Sequence, residues 1–532
     1  MLRAGYSGDA PALTAPRTPS RVVVFHADGV AAIRALKNNH AGRNPKIALP
    51  KPLGRHTLRT KYNTTTHISH SSRMFATTQY HVGNPYTNPK YGGLWVPNST
   101  IASTSVRILP CKPQMVPENS EIRLSTLRIA YLSSEYPAIS HTFIFREVQA
   151  LRRQGFDVKT ASIRTPGNVA LMTPEEQADE KGTLCIKDCG FARLATAHAT
   201  LKLGSFFAYM RMFSYALSLW QNGPVSLFKA LAYFAEAGVL VHWMRKEKIR
   251  HVHVHFANPA ATVALIGAAS GLIEFSLSVH GPDEFYNINE DLIPEKVRKA
   301  VFARCISFYC RSQLERVTEY KDWDKFHIVR CGIDLAKYAV RPDPNNAVAE
   351  ILCVGRLVPA KGQHLLVKAC HALKERGVAF HLTLVGAGPD RDSLEALVAQ
   401  LGIKELVTFT GPVGQGEIHA YYDKADIFAL PSFAEGLPVV LMEAMGKGIP
   451  CVTTSITGIP ELVIDGANGL LVPASDWEGL ADRLQRLIEE PALRKTLGAA
   501  AREIVERDYD VNRNCEGMGA VFQRHVAEAS RS

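Results

Sequence analysis

The chain has 532 residues, is 46% apolar and carries a formal net charge of +11. Residues 1–125 hold 16 Lys and Arg against 4 Asp and Glu, so the rest of the chain is close to neutral and the basic balance belongs to this extension. The length accommodates two domains and an appendage, and the apolar share is that of a soluble globular enzyme.

Residues 1–125 are rich in Thr, Ser, Asn, His and Pro, with one short apolar run at Val22–Phe25. Such a composition buries too little to order itself, so an extension of low order is expected. It permits an organelle transit segment, a basic tail for acidic membranes or nucleic acid, or an upstream stretch from a misplaced start codon. No signal-peptide pattern is seen, so the ten cysteines are expected to stay reduced. No C-x-x-C occurs, and neither Cys185/Cys189 nor Cys305/Cys310 has partners at zinc spacing.

A first domain is expected over 126–336. Leu127–Leu132 reads as a strand, and a helix with Phe143, Val148 and Leu151 on one face runs to Gly155. Asp157–Ile163 is the next strand, which makes a βαβ unit and hence a parallel sheet. Residues 191–248 read as apolar, aromatic helices. Arg211, Lys229 and Glu236 interrupt them, which argues against a membrane span. They are read as core or groove-lining helices, with a membrane surface as the alternative. In Ile249–Phe256 the pleat puts His251, His253 and His255 on one strand face, without the fourth ligand that a zinc site needs. Phe275–Val279 is a strand running into His280–Gly281, which places His280 where sheet ligands bind. Asp283 follows, able to orient it or to touch an acceptor. Further strands are expected near Cys305–Cys310 and Phe326–Arg330.

Residues 337–348, short and rich in Pro and Asn, read as a linker. A second strand–helix domain is expected over 349–507. Its strands end in glycine: Ile351–Val354 before Gly355, His381–Val385 before Gly386, and Val407–Thr410 before Gly411. The loop after Gly355 carries Arg356 and Lys361, a fork and a point charge for one phosphate group. Strand Ala425–Leu430 leads to Pro431-Ser-Phe-Ala-Glu435-Gly-Leu-Pro-Val-Val-Leu-Met-Glu443. Free amides near Gly436 and Leu437 would face a ligand beyond the strand end. Eight helical positions span at most ~12 Å. That suits a ligand with two polar ends better than a hydrolytic pair, which needs carboxylates about 5 Å apart.

The order of these motifs over about 350–475 resembles the retaining glycosyltransferases of the GT4 family. The resemblance implies an α/β protein of GT-B architecture, with two Rossmann-like parallel-sheet domains facing a central cleft. By resemblance, Arg356 and Lys361 clamp the donor diphosphate, Glu443 binds ribose, and Glu435 and His280 attend the transferred sugar. Gly355, Gly386, Gly436 and Leu437 belong to the donor loops, and residues 508–532 return to the first domain. The segment Pro137-Ala-Ile-Ser140-His141-Thr142-Phe143 is similar to an extracellular-polysaccharide subgroup (exopolysaccharide or colanic-acid-like), with His141 where that subgroup has Glu. Ser140 and Thr142 are its candidate acceptor or sugar contacts.

The implied reaction is transfer from a UDP- or GDP-sugar to a glycan or lipid-linked glycan. It would run in the cytoplasm, at the inner face of the plasma membrane, with no cofactor, metal or nucleic-acid partner. The Asp322/Asp324, Asp390/Asp392 and Asp508/Asp510 pairs fit turns and helix ends better than a metal. Arg391 replaces the third glycine of a dinucleotide fingerprint, which argues against NAD. The alternatives are an epimerase or phosphorylase on the same fold, or a non-catalytic protein at a membrane surface.

Overall fold

The computed structural model describes residues 127–527 apart from 139–140, 168, 222, 224, 343 and 345. The expected extension at 1–125 and candidate Ser140 lie outside the described residues.

Seven strands form the first sheet: β1 (Arg128–Glu135), β2 (Asp157–Arg164), β3 (Leu184–Cys185), β4 (His251–His255), β5 (Glu274–Val279), β6 (Ala303–Cys305) and β7 (Phe326–Ile328). Six form the second: β8 (Ala349–Val354), β9 (Phe380–Val385), β10 (Val407–Gly411), β11 (Ile427–Leu430), β12 (Cys451–Thr454) and β13 (Leu470–Val472). Their orders are β3-β2-β1-β4-β5-β6-β7 and β10-β9-β8-β11-β12-β13, and every pairing is parallel. Helices cover both faces, so the strands read as apolar runs; Ile427–Leu430 is buried at all four positions. The fold is α/β, with two Rossmann-like parallel-sheet domains.

The first sheet carries α1 (Thr142–Arg153), α2 (Pro174–Lys181), α3 (Gly190–Gly204), α4 (Phe206–Gln221), α5 (Leu227–Lys246), α6 (Pro259–Ala268), α7 (Ile293–Lys299) and α8 (Phe308–Val317). The expected strand around Cys305–Cys310 therefore stops at Cys305, and Ser307 caps α8 through a bond from the Cys310 amide. The second sheet carries α9 (Gln363–Glu375), α10 (Arg391–Gln400), α11 (Ile418–Lys424), α12 (Val439–Gly446), α13 (Trp477–Glu489) and α14 (Pro491–Asp508). No helix among the described residues is long and apolar enough to cross a membrane.

The last helix, α15 (Val511–Phe522), packs on the first sheet. Asp510 caps it by accepting the Asn512 and Arg513 amides. Val511, Cys515, Met518 and Phe522 join Ile129, Tyr131, Val148 and Phe302 in one apolar cluster. The crossing is tight at Gly332, where a Cβ would collide with the Tyr509–Val511 backbone.

In each sheet the strand order reverses beside the first strand, between β1 and β4 and between β8 and β11. Ligands of such sheets bind outside the carboxyl ends at these switch points. The loops leaving β1, β4, β8 and β11 carry His141, Phe256, Arg356 with Lys361, and Glu435. Topology alone therefore brings the candidate residues to two facing edges.

Candidate active site

On the second domain, Glu435 lies in the turn between β11 and α12 and is buried. Its Oε1 accepts from Ser432 Oγ at 2.7 Å and from Lys361 Nζ at 2.5 Å. Lys361 ends a short 3-10 turn after β8, and Gly362 follows at φ 64°. Only glycine fits there, because a Cβ would strike the Pro431 carbonyl. The β8 and β11 loops are thus pressed together, and the expected phosphate cation is already in contact with the expected sugar carboxylate. Arg356 is exposed. Burial, and then the charge of Arg356, push His141 down to about 4, so this cation faces the β1 loop of the first domain.

Gly355, Gly386 and Gly411 have a packing reason as well. The Gly355 amide donates to Val385, and the Gly386 amide, at φ 144°, donates to Gly411. A Cβ on Gly386 would meet the Gly355 carbonyl. Leu437 is buried beside the turn.

Glu443, the expected ribose ligand, lies inside the protein. It is 3% exposed. Its Oε1 accepts from Arg146 Nη2 and Tyr338 OH, each at 2.7 Å, and its Oε2 from Tyr422 OH at 2.9 Å. Arg146 comes from α1 in the first domain and also donates to Gln415 at 2.9 Å. Burial works against its charge, but Glu443 and Tyr338 outweigh it and hold the guanidinium above its ordinary pKa.

The imidazole of His280 departs from expectation. The ring lies between Phe143 and Phe256, with centroids 4.8 and 4.6 Å away. Its Nε2 is 3.0 Å from His255 Nδ1, and its Nδ1 is 3.9 Å from Cys331 Sγ. Both ring nitrogens therefore turn inward. What meets the Glu435 turn is the His280 carbonyl, which lies where a Cβ of Gly436 would sit. Asp283 is exposed. Its neighbour Glu284 holds the turn, accepting the amides of Ala257 and His280 at 2.5 Å and of Gly281 at 3.1 Å. Thr142 is buried as the first residue of α1.

The sequence profile described as "Glycosyl transferases group 1" matches residues 340–504. A mannosyltransferase of Mycobacterium tuberculosis (strain CDC 1551 / Oshkosh), named as GDP-mannose-dependent and acting on phosphatidylinositol monomannoside, is 30% identical over 281 residues. That covers 48% of this chain and 70% of the relative. The chain belongs to the group 1 glycosyltransferases. WcaL of Escherichia coli (strain K12), named for colanic acid biosynthesis, is 29% identical over 406 residues, 72% of this chain and 96% of that protein. Among solved structures, Anabaena Alr3699/HepE in complex with UDP-glucose superposes with a TM-score of 0.58 at 18% identity, covering 75% of this chain and all of that one. This likeness shows the GT-B fold.

Behind His280, the glycosyltransferase carries a buried polar relay that sequence reading missed. His255 Nε2 lies 3.6 Å from Glu147, which also accepts from Tyr131 OH at 2.8 Å and pairs with Arg304. Burial opposes ionisation of Glu147, but Arg304 overcomes it and holds the carboxyl well below the usual range. A signal existed, since Glu147 is a charge on the otherwise apolar face of α1 beside Ile144, Val148 and Leu151.

Glu147, His253 and His255 are close enough to group as metal ligands. His255 Nε2 makes no hydrogen bond, whereas the donor atoms of the other two are engaged. The ring nitrogens of His253 each lie 2.7 Å from a hydroxyl, Ser276 or Ser278, and Glu147 serves Arg304 and Tyr131. The Arg304 guanidinium already sets a positive charge against Glu147 in this group. Two of the three Asp pairs have members with structural partners: Asp322 binds Lys325, Asp510 caps α15, and Asp508 pairs with Arg507.

Burial lowers the pKa of His251, to about 3, and of His253, His255 and His280. They are neutral when folded, whereas unfolded histidine titrates near 6.5. The unfolded chain thus binds more protons below that value, and stability falls as pH drops from 6.5 towards 5. The loss approaches about 2 kcal/mol at pH 5 for a histidine such as His251. Urea unfolding at pH 7.5 and pH 5 is expected to show a large drop in the midpoint, and equal midpoints would mean these rings are charged in the fold.

Proposed function

We propose that the glycosyltransferase is a GT4 enzyme that moves a sugar, with retention, from a UDP- or GDP-sugar to a glycan or lipid-linked glycan hydroxyl. The pathway is extracellular polysaccharide assembly, in keeping with the named role of WcaL. The enzyme works in the cytoplasm at the inner face of the plasma membrane. The observation that carries this reading is the Lys361–Glu435 pair at the switch point of the second sheet, set against the His280–Gly281 turn that follows β5 of the first. Arg356 and Lys361 take the donor diphosphate and stabilise its charge as it leaves. Glu435 and the His280 carbonyl, both acceptors, fix hydroxyls of the sugar while its anomeric carbon gains positive character. The leaving phosphate accepts the proton of the acceptor hydroxyl on the same face, and the closed cleft keeps water from competing. Glu443 Oε2 accepts a single bond, so it retains capacity for one ribose hydroxyl. Two cations beside the phosphate leave no requirement for a metal.

The test is a binding and turnover screen of UDP-, GDP- and ADP-sugars with and without EDTA. One nucleotide class is expected to raise the melting temperature whether or not EDTA is present. Lys361→Ala is expected to lower kcat/KM by about 100-fold or more through lost phosphate stabilisation. Near-normal turnover in Lys361→Ala, or strict dependence on a divalent ion, would overturn the reading.

A further inference from the structure

Helices α3–α5 leave an apolar surface that the transfer reaction does not use. Only Ala197 and Leu201 of the fifteen residues of α3 are buried. Leu203 and Phe207, at the turn into α4, are 86% and 80% exposed with Phe206 between them. Phe191 and Phe228 are 84% and 83% exposed at the starts of α3 and α5. Half of the large hydrophobic side chains exposed among the described residues fall between positions 191 and 231. That concentration is unlike the scattered single exposures of an ordinary surface. The sequence expectation of core helices therefore holds for α5, where Ala237–Val241 and Met244 are buried, and not for α3.

Charge narrows what can cover this surface. From Phe191 to Ala235 there is no Asp or Glu, while Arg193, Lys202, Arg211 and Lys229 supply only positive charge. A second copy would set the same cations against each other. Phe207 and Arg211 also line a cavity of about 1030 Å³ with Met210, Leu265, Ile273, Lys299 and Glu274, the last paired with Arg250. Apolar side chains between cations, as along residues 191–235, suit the interface of an anionic bilayer, where rings enter the acyl boundary and Lys or Arg meet phosphates.

We propose that the α3–α4 turn and the start of α5 dock the enzyme on an anionic lipid surface, with Leu203, Phe206 and Phe207 inserted below the headgroups. This deepens the membrane-face reading above by naming the surface and the lipid charge, and vesicle binding needs neither donor nor acceptor. The full-length protein would be sedimented with phosphatidylcholine vesicles with and without phosphatidylglycerol, and its amide hydrogen exchange followed. Expected are binding to the anionic vesicles that weakens with salt, slowed exchange within 191–231, and affinity about tenfold or more lower in Leu203→Ser/Phe206→Ser/Phe207→Ser. These side chains are exposed and remote from Glu435, so the variant should keep its melting temperature and nucleotide binding. No vesicle binding, or binding without slowed exchange in 191–231, would overturn the proposal; the latter would assign binding to another segment. Protection of 191–231 by self-association without vesicles would overturn it in favour of a second copy. Vesicle binding with no sugar transfer would sink the transferase reading and leave this one standing.

Discussion

Gly436→Ala is expected to remove most transferase activity while leaving both domains folded. Gly436 is not at positive φ, so alanine is not strained by its backbone. The obstacle is space across the cleft: a new Cβ would lie on the His280 carbonyl, with Gly281 Cα close behind. These atoms are main chain and cannot swing aside like a side chain. The Glu435 turn and the His280 turn would have to separate, and the sugar contacts proposed for them would separate too. A misplacement of about 1 Å in a reacting site can cost about 100-fold, so kcat/KM should fall by at least that much. Gly517→Ala is the matched control, because Gly517 is exposed on α15 with open space around its Cβ position. Alanine there should be neutral or slightly stabilising, by up to about 1 kcal/mol. Full activity in Gly436→Ala would mean that the contact is no part of the working enzyme.

The parts of this site that could be read from sequence are those fixed by local order along the chain. Parallel sheets buried on both faces announce themselves as apolar runs ending in glycine, and that pattern puts Arg356, Lys361 and Glu435 on strand-end loops. The histidine strand was legible in the same way. All three rings are buried, His251 and His253 on the Ser276 and Ser278 hydroxyls and against Phe302 and Phe522, and His255 against His280 and Glu147. What stayed hidden depends on contacts between distant segments. The identity of a residue does not say which of its atoms faces a ligand, so His280 was read through its ring although its carbonyl faces the cleft. Asp283 and Glu284 are adjacent and alike in type, and only the path of the β4 loop decides that Glu284 binds the amides. Glu461, in the turn after β12, accepts the Phe308 and Tyr309 amides at 3.0 and 2.9 Å, capping a helix of the other domain.

The same limit hid Arg146, whose replacement should have the largest effect on stability. Its guanidinium crosses from α1 to Glu443, Tyr338 and Gln415, 297, 192 and 269 positions away. Both members of the Arg146–Glu443 pair are largely buried, with side chains 12% and 3% exposed. Arg146→Ala would leave Glu443 inside the protein with only two tyrosine hydroxyls to serve a full negative charge. Breaking a buried pair from one side costs about 3–5 kcal/mol, most of it the stranded charge and not the value of the pair. Glu443→Gln removes that charge, so the double variant Arg146→Ala/Glu443→Gln should be more stable than Arg146→Ala alone. Urea unfolding of the four proteins in the cycle would give the coupling, and strict additivity would show that the two side chains act independently. The arginine also ties the first domain to the helix after Glu435. Arg146→Ala is therefore expected to raise the KM for the donor in proportion to the closed state it loses, even at temperatures where the fold survives. All three bonds come from Nη2, so Arg146→Lys, which keeps the charge and has three donors on one nitrogen, is expected to recover part of the stability that Arg146→Ala loses.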